Sequence, residues 1–303
     1  MANLKEIRNR ITSIKSTMQI TSAMKMVSAA KLKKAQDAIT AMRPYSSKLT
    51  ELLQNLSATL DSDAGGAYST QREVSKVLLV VVTSNRGLCG GFNSSITKET
   101  IKTIEEKYSN VEVDLFTIGK KGGDVLSKEF NTVATRNDIY DDLTFDNVAA
   151  IAEKLMSLFA DETYDKIEIV YNQFKNAATQ LTQVEQFLPI KPIEGGDASA
   201  VNSDYIFEPS KIEIVEALIP KSLKTQLYKA IRDSFASEHG ARMTAMHKAT
   251  DNAKELRDEL LLTYNKARQA AITNEILEIV GGARRSESTN ACEPRYPAPA
   301  RQQ

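Results

Sequence analysis

The stretch SNRGLCGGFN at 84–93 follows an apolar run and sets Gly87, Gly90 and Gly91 ahead of a helical pattern. A glycine-rich turn between a strand and a helix can cradle phosphate, because backbone N–H groups point out of the helix start. The spacing here fits poorly. The three glycines do not make G-x-G-x-x-G, and no Lys followed by Ser or Thr comes after the last glycine. The better reading is a tight strand-to-helix turn. Lys120, Lys121, Gly122 and Gly123 form a second basic glycine turn, read as a helix N-terminal loop. Cys89 would need a base beside it to act as a nucleophile, and His239 and His247 lie on a distant helical segment. It reads as a structural cysteine. Cys89 and Cys292 are the two cysteines, far apart and without metal-like neighbours, so neither a disulfide framework nor a zinc site is expected. Asp138, Asp141, Asp142 and Asp146 lack the spacing of a calcium loop and read as solvated. No catalytic, metal-ligating or cofactor-binding residue emerges.

The charges are more informative than the motifs. The chain of 303 residues has 39 basic and 39 acidic side chains. Its first 48 residues nonetheless hold ten basic residues, from Lys5 to Lys48, against Glu6 and Asp37. A helix with that excess points to an acidic partner surface, or to a solvated face. Hydrophobic content of 42% gives ample material for a core. No apolar run approaches the ~20 residues needed to cross a bilayer, so membrane association is expected only through a partner. The opening MANLKEIRNR has no apolar region after its charges and is not expected to be a secretory signal.

The elements behind these residues fall into two kinds. Leu4, Ile7, Ile11, Ile14 and Met18 follow a 3-4-3-4 spacing, a heptad seam that asks for a partner helix. The seam continues through polar Thr21, Lys25 and Ser28, which suggests that this part faces something other than one partner helix. It then regains Leu32, Ala35, Ile39 and Met42. Pro44 should kink or interrupt the helix. Towards the other end, Met246, Ala249, Ala253, Leu256, Leu260, Thr263, Ala267 and Ala270 repeat the spacing. The two terminal helices are expected to pair as an antiparallel coiled coil, the C-terminal one being longer. Met18, Met24, Met26, Met42, Met243 and Met246 lie on these helices and read as core packing, or as a surface that adapts to several partners. Between the helices, strands are expected at 77–84, 111–119 and 166–174, with an antiparallel edge strand at 179–190. Helices are expected at 94–108, 121–130 and 147–159. Strands alternating with helices imply a mainly parallel sheet.

Four stretches, in order, resemble the ATP synthase gamma chain family. They are IRNRITSIKSTMQITSAMKMVSAAKLKKAQ, SNRGLCGGFN, ASEHGARMTAMHKATDNAKEL and ITNEILEIVGGARR. The likeness runs from about residue 2 to 285. It implies an α/β fold: a long antiparallel coiled coil of the N- and C-terminal helices with an inserted Rossmann-like α/β domain. The expected divisions are a shaft helix at 1–60, a linker at 61–75, the α/β domain at 76–194, a linker or foot at 195–209, and a C-terminal shaft helix at 210–283. The tail at 284–303 carries three prolines and is expected to be disordered.

The resemblance further implies a non-catalytic rotor subunit without cofactors. Its partners would be three alpha and three beta subunits around the shaft, an epsilon subunit and a ring of c subunits, with no nucleic acid and no direct membrane insertion. Rotation would couple ion flow to ATP synthesis or hydrolysis, and would regulate ATPase activity and proton flow. The expected place is the cytoplasmic face of a bacterial inner membrane, with the matrix side of a mitochondrial inner membrane as the alternative. By match to the family's positions, Met24 and Lys25 would meet the beta-subunit levers, and Arg268 and Gln269 would catch a beta-subunit loop. Arg242, Thr273 and Glu275 would tune coupling. Tyr205 and Glu208 would touch the c ring or epsilon. The chain lacks the cysteine pair inserted in plant chloroplast forms, so thiol switching is not expected.

Two other functions compete with this one. A nucleic-acid-binding coiled coil would use the basic helix and bind with steep salt dependence. A nucleotide-dependent enzyme would use the α/β domain. The neutral net charge opposes the first, and the missing phosphate-binding Lys opposes the second.

Overall fold

The computed structural model describes residues 4–57, 68–177, 179–190 and 211–290. The expected linker at 195–209, with Tyr205 and Glu208, lies outside the described residues, as does the end of the tail at 291–303. The chain divides into two compact units, Ala23–His247 and a second formed by Met1–Ser22 with Lys248–Gln303.

The larger unit is built on a five-stranded sheet. After helix α1 (Leu4–Ser57) come β1 (Lys76–Val82), α2 (Phe92–Lys107), β2 (Glu112–Ile118) and α3 (Lys120–Leu126). β3 (Thr132–Arg136), α4 (Phe145–Ala160), β4 (Lys166–Phe174), β5 (Gln180–Leu188) and α5 (Lys211–Asn290) complete the order. The strands lie in the order β3-β2-β1-β4-β5. β1 runs parallel to β2 and β4, β2 parallel to β3, and only β5 is antiparallel, along β4.

The central strand explains its own sequence. Leu78, Val80 and Val82 face a core shared with Leu155 and Phe159 of α4 and Leu223 and Leu227 of α5. Val77, Leu79 and Val81 face Phe92 and Ile96 of α2 and Leu126 of α3. Side chains alternate between faces, so a strand covered on both sides needs an unbroken apolar run. Each such side chain buried is worth roughly 1.5–3 kcal/mol.

Strand β3 was not expected from the sequence. Its residues TVATR are half-buried or exposed and sit at the sheet edge, where no apolar run is required. The other strands and helices fall where the pattern placed them, with boundaries shifted by a few residues.

In the smaller unit, α1 and α5 pair antiparallel. Arg8 Nη2 donates to the Tyr264 hydroxyl at 2.9 Å, and Thr21 and Thr250 share a hydroxyl hydrogen bond of 2.8 Å. As residue numbers rise on one helix they fall on the other. In the larger unit the same sense holds: Leu32, Ala35 and Ile39 of α1 pack with Ala236 of α5. Every α1 position of the predicted seam from Leu4 to Met42 is buried or half-buried, and polar Thr21 and Ser28 are among the buried ones. Thr21 is tied to Thr250, and the Ser28 hydroxyl donates to the Met24 carbonyl at 2.8 Å. The polar stretch is thus satisfied by hydrogen bonds inside a helix pair.

On α5 Met246 and Ala249 are covered as expected, and beyond Ala253 the seam is displaced at every second step. Ala253, Leu260 and Ala267 are half-buried as expected, but Arg257, Tyr264 and Ala271 take the places assigned to Leu256, Thr263 and Ala270. Long amphipathic side chains cover a seam with their stems while their heads reach water, which an apolar pattern does not register. α1 is not divided at Pro44. The carbonyl of Thr40, which loses its N–H partner there, belongs to an exposed residue, where water can bond it. At the other end α5 continues to Asn290, past the expected stop at 283.

Candidate functional site

In an open parallel sheet, ligands bind at the carboxyl ends of the strands where the strand order reverses. That place here lies between β1 and β4, from which the chain winds outward in both directions. The turn 84–91 stands at its rim and opens α2. The turn is internally bonded: Asn93 Oδ1 accepts from the backbone N–H of Ser84 at 3.1 Å and from its hydroxyl at 3.0 Å. Gly90 has a φ of +60, which glycine adopts without steric cost. Leu88 shares that left-handed geometry at φ +61 and points into solvent.

The crevice is filled by the chain itself. A Cβ on Gly90 would stand 3.7 Å from Cβ of Ala245 on α5. Arg242 Nη2 donates to the carbonyls of Arg86 at 3.0 Å and Gly87 at 3.3 Å, while its Nη1 pairs with Glu238 at 2.6 Å. On the β4 side, the Ser237 hydroxyl donates to the carbonyl of Asn172 at 2.9 Å. A Cβ on Gly240 would meet Ala177 Cα and its carbonyl at 3.3 Å, so α5 approaches the β4–β5 turn as closely as glycine permits.

The second glycine turn is equally occupied. The N–H groups of Lys120, Lys121 and Gly122 go to Asn85 Oδ1, the Ser84 carbonyl and Thr83 Oγ1, at 3.1, 3.0 and 2.9 Å. Those are the donors a phosphate would need. At this turn they are bonded within the chain.

The titratable groups here are not arranged for acid–base work. Burial, with the charges of Arg242 and Lys31, pulls His239 down to about 3, so it is neutral near pH 7. Burial raises the Glu238 carboxyl, partly offset by Arg242. Burial also raises the Cys89 thiol, whose neighbours are Ser84 Oγ at 3.8 Å and Asn93 Nδ2 at 3.2 Å rather than a base. Among the described residues no cluster of His, Cys, Asp or Glu could hold a metal ion, and no helix is long and apolar enough to cross a membrane.

The residues expected to meet partners are placed as follows. Met24 and Lys25 are half-buried on α1, with Lys25 Nζ 3.3 Å from His247 Nδ1. Arg268, Gln269, Thr273 and Glu275 are exposed on α5, and Thr273 Oγ1 bonds the Gln269 carbonyl at 2.9 Å. Arg242 is buried in the crevice. Around the exposed group, Ile272, Ile276, Leu277, Ile279 and Val280 are half or more exposed or close to it, from 47% to 71%. Contiguous exposed apolar residues mark interaction surfaces. Sequence reasoning gave no role to Asn172, which sits in no motif, nor to Ser237 and Glu238, which lie in the family stretch that begins at Ala236.

With this geometry in view, comparison with known proteins is specific. The model of the family described as ATP synthase matches residues 3–284. The ATP synthase gamma chain of Flavobacterium johnsoniae is 74% identical over 283 residues, covering 93% of this chain and 98% of that one. The gamma chain of Cytophaga hutchinsonii is 53% identical with the same coverage. A chain from the central stalk and c-ring of Tetrahymena thermophila mitochondrial ATP synthase aligns with a TM-score of 0.57 at 27% identity, covering 76% of this chain and 99% of that one. A Euglena gracilis mitochondrial ATP synthase chain shares the fold, with a TM-score of 0.68 at 22% identity over 97% of this chain and 98% of that one. A helix pair on a sheet whose ligand crevice is closed by its own helix, matched at this identity over nearly its whole length, belongs to the family of ATP synthase gamma chains.

Proposed function

We propose that this chain turns as the central stalk inside a hexamer of three alpha and three beta subunits, joined at its foot to an epsilon subunit and a c ring. The observation that carries the reading is the antiparallel pairing of α1 and α5 in a unit where α5 carries an exposed apolar stretch. Such a chain does no chemistry itself. Its asymmetric faces would bias beta subunits between states of different nucleotide affinity, which requires contacts that differ between those states.

Within that reading, Met24 and Lys25 meet the beta-subunit levers, and Arg268 and Gln269 catch a beta-subunit loop. Arg242, Thr273 and Glu275 tune coupling, and Tyr205 and Glu208 touch the c ring or epsilon. Rotation also regulates ATPase activity and ion flow. The seven tenths identity to a bacterial gamma chain supports a place at the cytoplasmic face of the inner membrane, reached through partners.

The test is to purify the tagged chain from its native cell and assay ATP hydrolysis on the resulting complex and on the chain alone. Activity confined to a complex with three alpha and three beta subunits is expected. Hydrolysis by the chain alone would sink the reading. In that complex, Arg268→Ala should slow hydrolysis about tenfold, the scale of one lost charge-assisted hydrogen bond.

A further inference from the structure

The place where α5 enters the sheet crevice is a mechanical joint, and one residue at its base ties four elements together. Asn172, near the end of β4, is 1% exposed. Its Nδ2 donates to the Phe92 carbonyl at 3.2 Å and to Ser95 Oγ at 3.4 Å, in the first turn of α2. Its Oδ1 accepts from Thr182 Oγ1 of β5 at 2.8 Å. Its carbonyl accepts from Ser237 of α5, itself 0% exposed, at 2.9 Å. No charge is involved, so the contact does not loosen with salt as a surface ion pair would.

The packing around this bond leaves α5 little freedom. A Cβ on Gly240 would crowd the β4–β5 turn at Ala177 on one side, and one on Gly90 would meet Ala245 on the other. The Thr244 hydroxyl bonds the Ala177 carbonyl at 3.2 Å, on the same side as Gly240. Small side chains against two backbone turns set no register by themselves. Thr244 on Ala177 and Arg242 on the turn after β1 hold the rim, and Ser237 on Asn172 holds the bottom of the crevice, where both partners are buried.

We propose that Asn172 and Ser237 are positioning residues for energy coupling: they stop the α/β domain from slipping on α5 when the stalk works against a load. The inference rests on the central-stalk reading. A loosened joint lets the helix and the sheet domain move out of step, so hydrolysis continues while less ion transport accompanies each ATP.

The experiment uses whole ATP synthase carrying Ser237→Ala, or Asn172→Ala with Ser237→Ala, in sealed vesicles. Hydrolysis is measured with the membrane made leaky, and ATP-driven ion uptake with it sealed. The expected result is near-normal hydrolysis with uptake per ATP lowered about threefold or more, the scale of one or two lost buried hydrogen bonds. The single variant, which removes one hydroxyl, carries the test if the double variant does not assemble.

A bridge separates the joint from general damage. Gly90→Cys with Ala245→Cys, in a background with Cys89→Ala and Cys292→Ser, places two Cβ atoms about 3.7 Å apart, within disulfide range; because Gly90 sits at φ +60, the same bridged pair without Ser237→Ala is the reference. Added to Ser237→Ala, the oxidised bridge should restore uptake per ATP, and reduction should remove it again. An unchanged ratio in Ser237→Ala, or a loss that the closed bridge does not restore, overturns the proposal. A complex that neither hydrolyses nor pumps with the unsubstituted chain would instead refute the stalk reading.

Discussion

The guanidinium of Arg242 lies 2.6 Å from the carboxylate of Glu238, and both side chains are more than nine-tenths buried. The same guanidinium caps two carbonyls of the turn after β1. The pair has been taken out of water, so each charge depends on the other. Arg242→Ala should cost about 3–5 kcal/mol by stranding Glu238 in the interior. Adding Glu238→Ala should recover part of that loss, which a double-mutant cycle by urea unfolding will measure. Additive losses would show that the two charges do not depend on each other.

His239 makes stability sensitive to acid. Burial and the neighbouring Arg242 and Lys31 hold its folded pKa at about 3, below the 6.5 of a free histidine. Between those values the unfolded chain takes up a proton that the folded chain refuses. Its contribution is therefore fully present above pH 6.5 and is lost as pH falls towards 3, on the order of a few kcal/mol in all. His239→Phe should flatten the unfolding free energy across that window. An unchanged slope would assign the acid sensitivity to other groups.

The hydroxyl pair of Thr21 and Thr250 predicts a sign change between single and double variants. Thr21→Val leaves Thr250 without this cross-helix partner and should lower stability by about 1 kcal/mol. Thr21→Val with Thr250→Val makes the site apolar and should return stability to near its starting value or above it. Thermal unfolding of the three variants decides, and a double variant weaker than either single one would contradict it.

Two glycines of the turns should respond in opposite ways to alanine. A Cβ on Gly122 would stand 2.7 Å from Thr83 Oγ1 and 2.8 Å from its Cγ2, whereas a Cβ on Gly87 meets nothing within 4 Å. Gly122→Ala should destabilise by about 1–3 kcal/mol, and Gly87→Ala should be nearly silent. Denaturant midpoints of the two variants check the contrast.

What the sequence revealed followed its periodicities. The α1 seam was legible to the residue because its apolar and small polar members recur every three or four positions. The unbroken VLLVVV run marked a strand covered on both faces. β3 was not legible, since an edge strand of Thr, Val and Ala carries neither signal. On α5, Arg257 and Tyr264 line the seam with stems that a polar letter conceals. The site was legible only as an absence of motifs. That the crevice is closed depends on Ser237, Gly240 and Ala245 meeting residues far away in the chain, and no local pattern encodes that meeting. The exposed apolar residues of α5 from Ile272 to Val280 were not legible, because an apolar helix face looks the same whether covered or bare.

The N–H groups of Lys120, Lys121 and Gly122 at the second glycine turn are all bonded within the chain. The domain keeps the strand order of a nucleotide binder, yet its donors are bonded to Thr83, Ser84 and Asn85, and its crevice holds α5. A nucleotide entering there would have to displace the chain's own helix and hydrogen bonds, so the push on this rotor has to come from the subunits around it.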